Sequence, residues 1–207
     1  STSPKDVKRY TTEELREEFL LDGLFEKDKM HMVYSHVDRM ITGAAVPVEK
    51  VLEISDGAEL HSEYFLDRRE MGVINIGGGG IVTVDGTSYS MNHKEGMYIG
   101  MGTKKVSFSS KDKKTPAKFY INSTPAHKTY PTVLIKPEGE KEDDVVIIKE
   151  ENKVELGSME ASNHRTICKY ILPGQVESCQ LVMGMTSLKP GSVWNSMPCH
   201  THNRRME

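Results

Sequence analysis

The chain has 207 residues, enough for one large domain or two modest ones with a self-supporting core. Its 27 basic and 30 acidic side chains leave a formal net charge of -3, which argues against a general nucleic-acid binder. Three cysteines, Cys168, Cys179 and Cys199, form no CxxC pair and no dense disulfide framework, so they fit a reducing compartment. No apolar run approaches the ~20 residues a membrane-spanning helix needs, and the first residues lack the apolar core of a signal peptide. A cytoplasmic protein that engages neither nucleic acid nor membrane is expected.

In chain order, residues 1–29 read as an N-terminal helical segment. Thr11 or Thr12 can cap a short helix whose first turns hold Glu13 to Glu18, where the helix dipole favours negative charge. Leu15, Phe19 and Leu20 supply one apolar face, and Gly23 is a natural stop.

From Met30 the pattern changes to short β-type runs broken by turn residues. They are MVYSHV (32–37), VEKVLEI (48–54), EYFL (63–66), GVINI (72–76), IVTVDGTSYSM (81–91), GMYIGM (96–101), KVSFSS (105–110) and AKFYINS (117–123). Regular spacing with no long helix between them predicts an antiparallel sandwich or barrel over 30–130. The alternation around Asp85-Gly86 predicts a two-residue hairpin turn. The glycine run 77–80 would need a following helix to act as a phosphate cradle; a strand-like IVTVDG follows, so it reads as a flexible turn between strands.

Residues 131–160 are charged and weakly patterned apart from VVII (145–148), and read as a linker with one strand. Strand-like runs return in RTICKYI (165–171), SCQLVMGMTSL (178–188) and SVWNSM (192–197), so a second β unit begins near residue 161 and runs to 207. A faint echo at an offset of 136 residues aligns FLDRREMGVINI (65–76) with HTHNRRME (200–207). It sets His200, His202 and Glu207 opposite Tyr64, Leu66 and Met71, so the first unit would keep the frame of a site without its ligands.

The chemistry concentrates in the last eight residues. His200 and His202 alternate along an extended strand and leave it on the same face. Glu207, after a short turn, can approach the same point, giving two imidazoles and a carboxylate suited to Zn, Fe, Ni, Mn or Co. The plain alternative is ordinary polar surface.

An HxHx4E motif on a strand resembles the metal motif of cupins. More narrowly, MVYSHVDRMITG (32–43), YFLDRREMGVINIGGGGIVTVDG (64–86), TPAKFYINSTPAHKTYPT (115–132), NHRTICKY (163–170) and the stretch 179–207 resemble the 5-keto-4-deoxyuronate isomerase family of pectin breakdown. The resemblance implies an all-β tandem cupin fold, two double-stranded β-helix (jelly-roll) barrels after a short N-terminal helix. It implies Zn2+ held in the second barrel by His200, His202 and Glu207, with a further histidine ligand beyond Glu207. It implies a homo-oligomer, a hexamer, that interconverts an aldose and a ketose of a uronate. On that reading the second barrel is incomplete in this chain, which would then lack a finished pocket and be inactive by itself. A uronate carries a carboxylate, so a bidentate arginine is expected, and Arg165, Arg204 and Arg205 are the candidates for substrate binding; their other possible role is ion pairing or packing. No catalytic base is identifiable. Two rival functions remain: a non-enzymatic sugar-binding or regulatory cupin, and an iron-dependent cupin dioxygenase.

Overall fold

The computed structural model describes residues 2–54 and 57–195. It begins with two short helices, α1 (Pro4–Val7) and α2 (Thr12–Phe19). Thr11 caps α2 reciprocally: its hydroxyl accepts from the Glu14 amide at 3.3 Å, and the Glu14 carboxylate accepts from the Thr11 amide at 2.7 Å. The helix ends at an extended Leu20, ahead of the left-handed Gly23 (φ 70°). Its apolar residues are not covered: Phe19 is 57% exposed.

Fourteen strands follow among the described residues: β1 (Met30–Tyr34), β2 (Ile41–Ala45), β3 (Leu52–Glu53), β4 (Arg69–Asn75), β5 (Gly80–Val84), β6 (Thr87–Met91), β7 (Gly96–Ile99), β8 (Val106–Ser110), β9 (Phe119–Pro125), β10 (Val133–Lys136), β11 (Val145–Ile147), β12 (Lys153–Leu156), β13 (Arg165–Ile171) and β14 (Met183–Leu188). They form three sheets, ordered β3-β8-β5-β6, β1-β2-β9-β4-β7-β10-β11 and β12-β13-β14. The hairpin β5–β6 turns at Asp85 (φ 47°) and Gly86 (φ 89°), with Val84 opposite Thr87, as the two-residue loop requires.

The seven-stranded sheet is the middle layer. Alternate residues of one strand point to opposite faces, so β4 sends Met71 and Val73 one way and Glu70, Gly72 and Ile74 the other. On the first face they join Phe108, Phe119, Val82 and Ile121 in a fully apolar interior shared with the four-stranded sheet. The Phe108 and Phe119 rings, one from each sheet, sit 5.1 Å apart at 47°. On the second face Ile74, Tyr98 and Ile135 pack against Tyr170, Ile171, Leu181 and Met183 from the three-stranded sheet and the loop before β14. Both faces being covered, all seven residues of β4 are buried.

The second contact needs backbone to come close. A Cβ at Gly72 would lie 2.6 Å from the Met183 sulfur, and one at Gly96 would lie 2.5 Å from the Tyr170 ring, so a side chain at either place would push those neighbours aside. The glycine run 77–80 is likewise a close approach rather than a flexible turn. A Cβ at Gly78 would meet the Thr115 carbonyl at 1.9 Å. The buried Asn75 side chain pins this turn, donating to the carbonyl of Gly78 at 2.7 Å and accepting from the Gly77 amide at 3.0 Å.

Several strand expectations need correction. EYFL (63–66) is a turn, although Phe65 and Leu66 are buried in the core; apolar burial here comes without a ladder. VEKVLEI reduces to the two residues of β3. β2 was not expected, because ITGAA is short and small-sided, yet it pairs on both edges. Residues 131–160 hold three strands rather than one, and two of them, β10 and β11, extend the middle sheet. β10 and β11 pair in parallel, the exception to an otherwise antiparallel scheme.

A buried carboxylate fastens the third layer. Glu70 is fully buried and all its contacts are donors, as an acceptor-only group needs. It accepts from the amides of Cys179, Gln180 and Leu181 at 2.8, 2.7 and 2.9 Å, from the Tyr98 hydroxyl at 2.7 Å and from the Thr124 hydroxyl at 3.3 Å. Burial and the neighbouring carboxylate push the Tyr98 hydroxyl well above the usual tyrosine range, so it serves only as a donor here. Glu70→Ala would strand the buried Leu181 amide and Tyr98 hydroxyl and free the half-buried amides of Cys179 and Gln180, and should lower unfolding free energy by about 2–3 kcal/mol, read by urea denaturation; a loss below about 1 kcal/mol would contradict the anchoring role.

Candidate functional site

His200, His202, Glu207, Arg204 and Arg205 lie outside the described residues, so the arrangement of the expected metal set is not on view. Among the described residues no three His, Cys, Asp or Glu side chains stand together as metal ligands. Of the positions that the 136-residue echo sets opposite the candidate ligands, Leu66 and Met71 are 1% and 0% exposed in the apolar core. The first unit therefore fills its interior with hydrocarbon where a metal set would need nitrogen and oxygen.

Arg165 opens β13, between Leu156 of β12 and Leu188 of β14. It is 5% exposed, and its Nη1 donates to the Asn163 carbonyl at 2.9 Å. That placement favours packing, the second of its two expected roles. Nearby, Glu155 receives the Thr166 hydroxyl, pairs with Lys189 at 3.1 Å and meets His164 at 2.9 Å. Those donors hold its carboxyl below the usual range, but the group is solvent-exposed and the network is a surface one. Trp194 donates its indole N–H to the Ala161 carbonyl at 3.0 Å, which ties the segment after β14 back to the loop before β13. Ser192 to Asn195 are not in a strand; a turn at Gly191 (φ 85°) carries the chain there.

The charged pair that sequence reading passed over is Arg69-Glu70. The signal was available: two adjacent charges inside GVINI-type apolar sequence are costly unless each has dedicated partners. Glu70 finds them on the third layer. Arg69, on the other face, donates from Nε to the Ser123 hydroxyl at 3.1 Å, and from Nη2 to the carbonyls of Ser123 at 2.8 Å and Arg39 at 2.7 Å.

This architecture defines a mostly β protein whose first unit is a two-sheet sandwich bearing a further sheet on its outer face. The chain belongs to the KduI/IolB family, whose model matches residues 19–207. It is 66% identical to a protein of Lachnoclostridium phytofermentans named 4-deoxy-L-threo-5-hexosulose-uronate ketol-isomerase, over all of this chain and 71% of that one. A protein of the same name from Lachnospira eligens is 58% identical over 98% of this chain and 70% of its own length. One from Escherichia coli is 50% identical over 97% and 69% respectively. Among solved structures, an iolb-like protein of Salmonella typhimurium has a TM-score of 0.45 at 12% identity, over 67% of this chain and 47% of that one. The family resemblance read from the sequence is thus matched along the whole chain, and the relatives that match it are enzymes by name.

If Arg165 is a packing residue, Arg165→Gln should lower stability by about 1–3 kcal/mol, the loss of a hydrogen bond from a charged, buried donor, seen as an earlier thermal transition. An unchanged transition with weakened substrate binding would give it the other role.

Proposed function

We propose that this protein is a metal-dependent ketol-isomerase that converts 5-dehydro-4-deoxy-D-glucuronate to 3-deoxy-D-glycero-2,5-hexodiulosonate in the breakdown of pectin-derived uronates. The observation that carries the reading is 66% identity, over the entire chain, to a protein bearing that enzyme name. Such identity supports a shared activity far better than fold likeness does, because one β architecture hosts many chemistries.

The three-stranded sheet β12–β14 is, on this reading, part of the second barrel of a tandem cupin. The relatives are longer than this chain, which spans 71% of the first, and that difference supports further residues completing such a barrel in them. His200, His202 and Glu207 would hold zinc, for which two imidazoles and a carboxylate are a fitting donor set. Zinc bound there supplies a Lewis acid for the carbonyl oxygen, where charge builds up as a proton or hydride passes between adjacent carbons. Arg204 and Arg205 would orient the substrate carboxylate through charge-assisted hydrogen bonds. The isomerase reading stands above the binder and dioxygenase alternatives because the relatives carry an isomerase name.

Self-association into a hexamer belongs to the same proposal. Phe19, Leu20 and Leu21, 57%, 42% and 41% exposed, with Val33 on the edge strand β1 and Val37 in the turn after it, suit a surface covered by a second copy. Light scattering on the purified protein should report an oligomer, and Phe19→Ser should shift it toward smaller species; a strictly monomeric protein would end this part of the proposal. No helix among the described residues is long and apolar enough to cross a membrane.

The decisive assay follows the uronate by NMR with zinc-replete protein of the relatives' length. Conversion is expected, and His200→Ala or His202→Ala should weaken zinc binding by at least about tenfold and lower kcat/KM with it. Undiminished zinc in either variant would remove the ligand assignment, and turnover that survives chelation would remove the metal dependence.

A further inference from the structure

Four backbone segments meet at one end of the first sandwich and line a cavity of about 530 Å³ that opens to solvent. They are the turn between β1 and β2, the stretch leading into β4, the loop after β9 and, through Gln180, the loop before β14. Three arginines line it, Arg39, Arg68 and Arg69, together with His127, and no Asp or Glu lines it among the described residues. Such a concentration of cations, with Asp67 pairing only with Arg68, is unusual for a protein whose formal charge is -3.

Arg69 is the centre of the arrangement. It shares a face of β4 with Met71 and Val73, so it sits at the mouth of the apolar interior rather than on the outer surface. Its side chain belongs to a residue only 6% exposed, yet among the described residues it makes no ion pair. All three of its hydrogen bonds go to neutral oxygens, those of Ser123 and Arg39. The two N–H groups of Nη1 take part in none of them. Burial pushes its pKa down to about 10, which still leaves it cationic at neutral pH. A buried guanidinium held by neutral partners is an expensive arrangement that an incoming anion would relieve.

The turn above it is held under strain. Asp38 and Arg39 have φ of 53° and 57°, left-handed values that non-glycine residues adopt uncommonly. The Arg39 carbonyl is pinned by Arg69 at 2.7 Å, which brings a second guanidinium to the cavity wall. Consecutive strained residues tend to persist where the geometry serves a ligand. Arg68 is steadied by the His61 carbonyl at 2.8 Å, with Asp67 at 3.6 Å. Leu60, Pro125 and the Tyr34 ring supply apolar wall between the charges, and the volume suits a small organic molecule rather than a bare ion.

We propose that this cavity binds a small organic acid of sugar-acid size, its carboxylate held by Arg69 and Arg39, with Arg68 and His127 at the rim. The guanidinium fork matches a carboxylate in two parallel hydrogen bonds, and the apolar wall covers the carbon skeleton. The proposal does not depend on the isomerase reading, since none of these residues belongs to the proposed metal set. A sequence parallel is consistent with it: the 136-residue echo aligns Arg68-Arg69 with Arg204-Arg205.

A local probe tests it. In the intact protein, the His127 ring signals are assigned in NMR spectra by their loss in His127→Gln. Titration with D-glucuronate should shift them saturably, while D-glucose should not. Arg39→Asn, which keeps a residue tolerant of the left-handed turn, and Arg68→Gln should each raise the midpoint by about tenfold, the loss of one charge-assisted contact. Both side chains are exposed, so thermal melting should stay as in the parent protein. No shift with D-glucuronate, an equal response to D-glucose, or parental midpoints in both variants would overturn the proposal. Inorganic phosphate binding as tightly as D-glucuronate would overturn the organic-acid assignment. Turnover of the uronate is read separately, so failure here leaves the isomerase reading standing.

Discussion

The architecture turns on one buried carboxylate. Glu70 stands on the middle sheet, and three consecutive amides of a loop more than a hundred positions later converge on it, from Cys179 through Leu181. Without that acceptor the loop would present bare donors to the outer face of an apolar sheet, which burial does not tolerate. With it, Leu181 and Met183 are delivered onto Ile74 and Tyr98, and β13 and β14 follow them. Glycine at positions 72 and 96 is the complementary condition, since a methyl at either place would displace Met183 or the Tyr170 ring from the contact.

The two charges of Arg69-Glu70 thereby serve opposite faces of one strand. Strand geometry sends adjacent side chains apart, so the acid is spent on joining layers and the base is left at the mouth of the first sandwich. The interior behind the arginine is sealed with Met71, Leu66, Phe108 and Phe119. Polar chemistry in the first unit is therefore confined to its rim, while the residues suited to metal lie in the sequence beyond the second unit's described strands. Packing thus makes the first unit a hydrocarbon-filled scaffold with a cationic mouth.

Local features were legible without a structure. A threonine cap at 11 or 12 and the Asp85-Gly86 hairpin depend on atoms a few residues apart; both features occur, and the structure selects Thr11, with Glu14 completing a capping box. EYFL misled because its apolar residues are buried by a turn, and periodicity cannot distinguish burial in a turn from burial in a strand. β10 and β12 were missed in a charged stretch because their neighbours in the sheet, not their own composition, make them strands. The proposed metal set, His200, His202 and Glu207, lies outside the described residues.

By itself the sequence determined the β class, the family, the hairpin and the place of the first helix. Each of these rests on residue identity or on contacts within a few positions. Only the tertiary structure decided that Glu70 is a fastening, that the glycine run is a tight approach and that Arg39, Arg68 and Arg69 share one cavity. Those outcomes join residues 30 to 111 positions apart. A residue's chemistry states what partner it needs, but which distant segment meets that need is settled by how the layers pack.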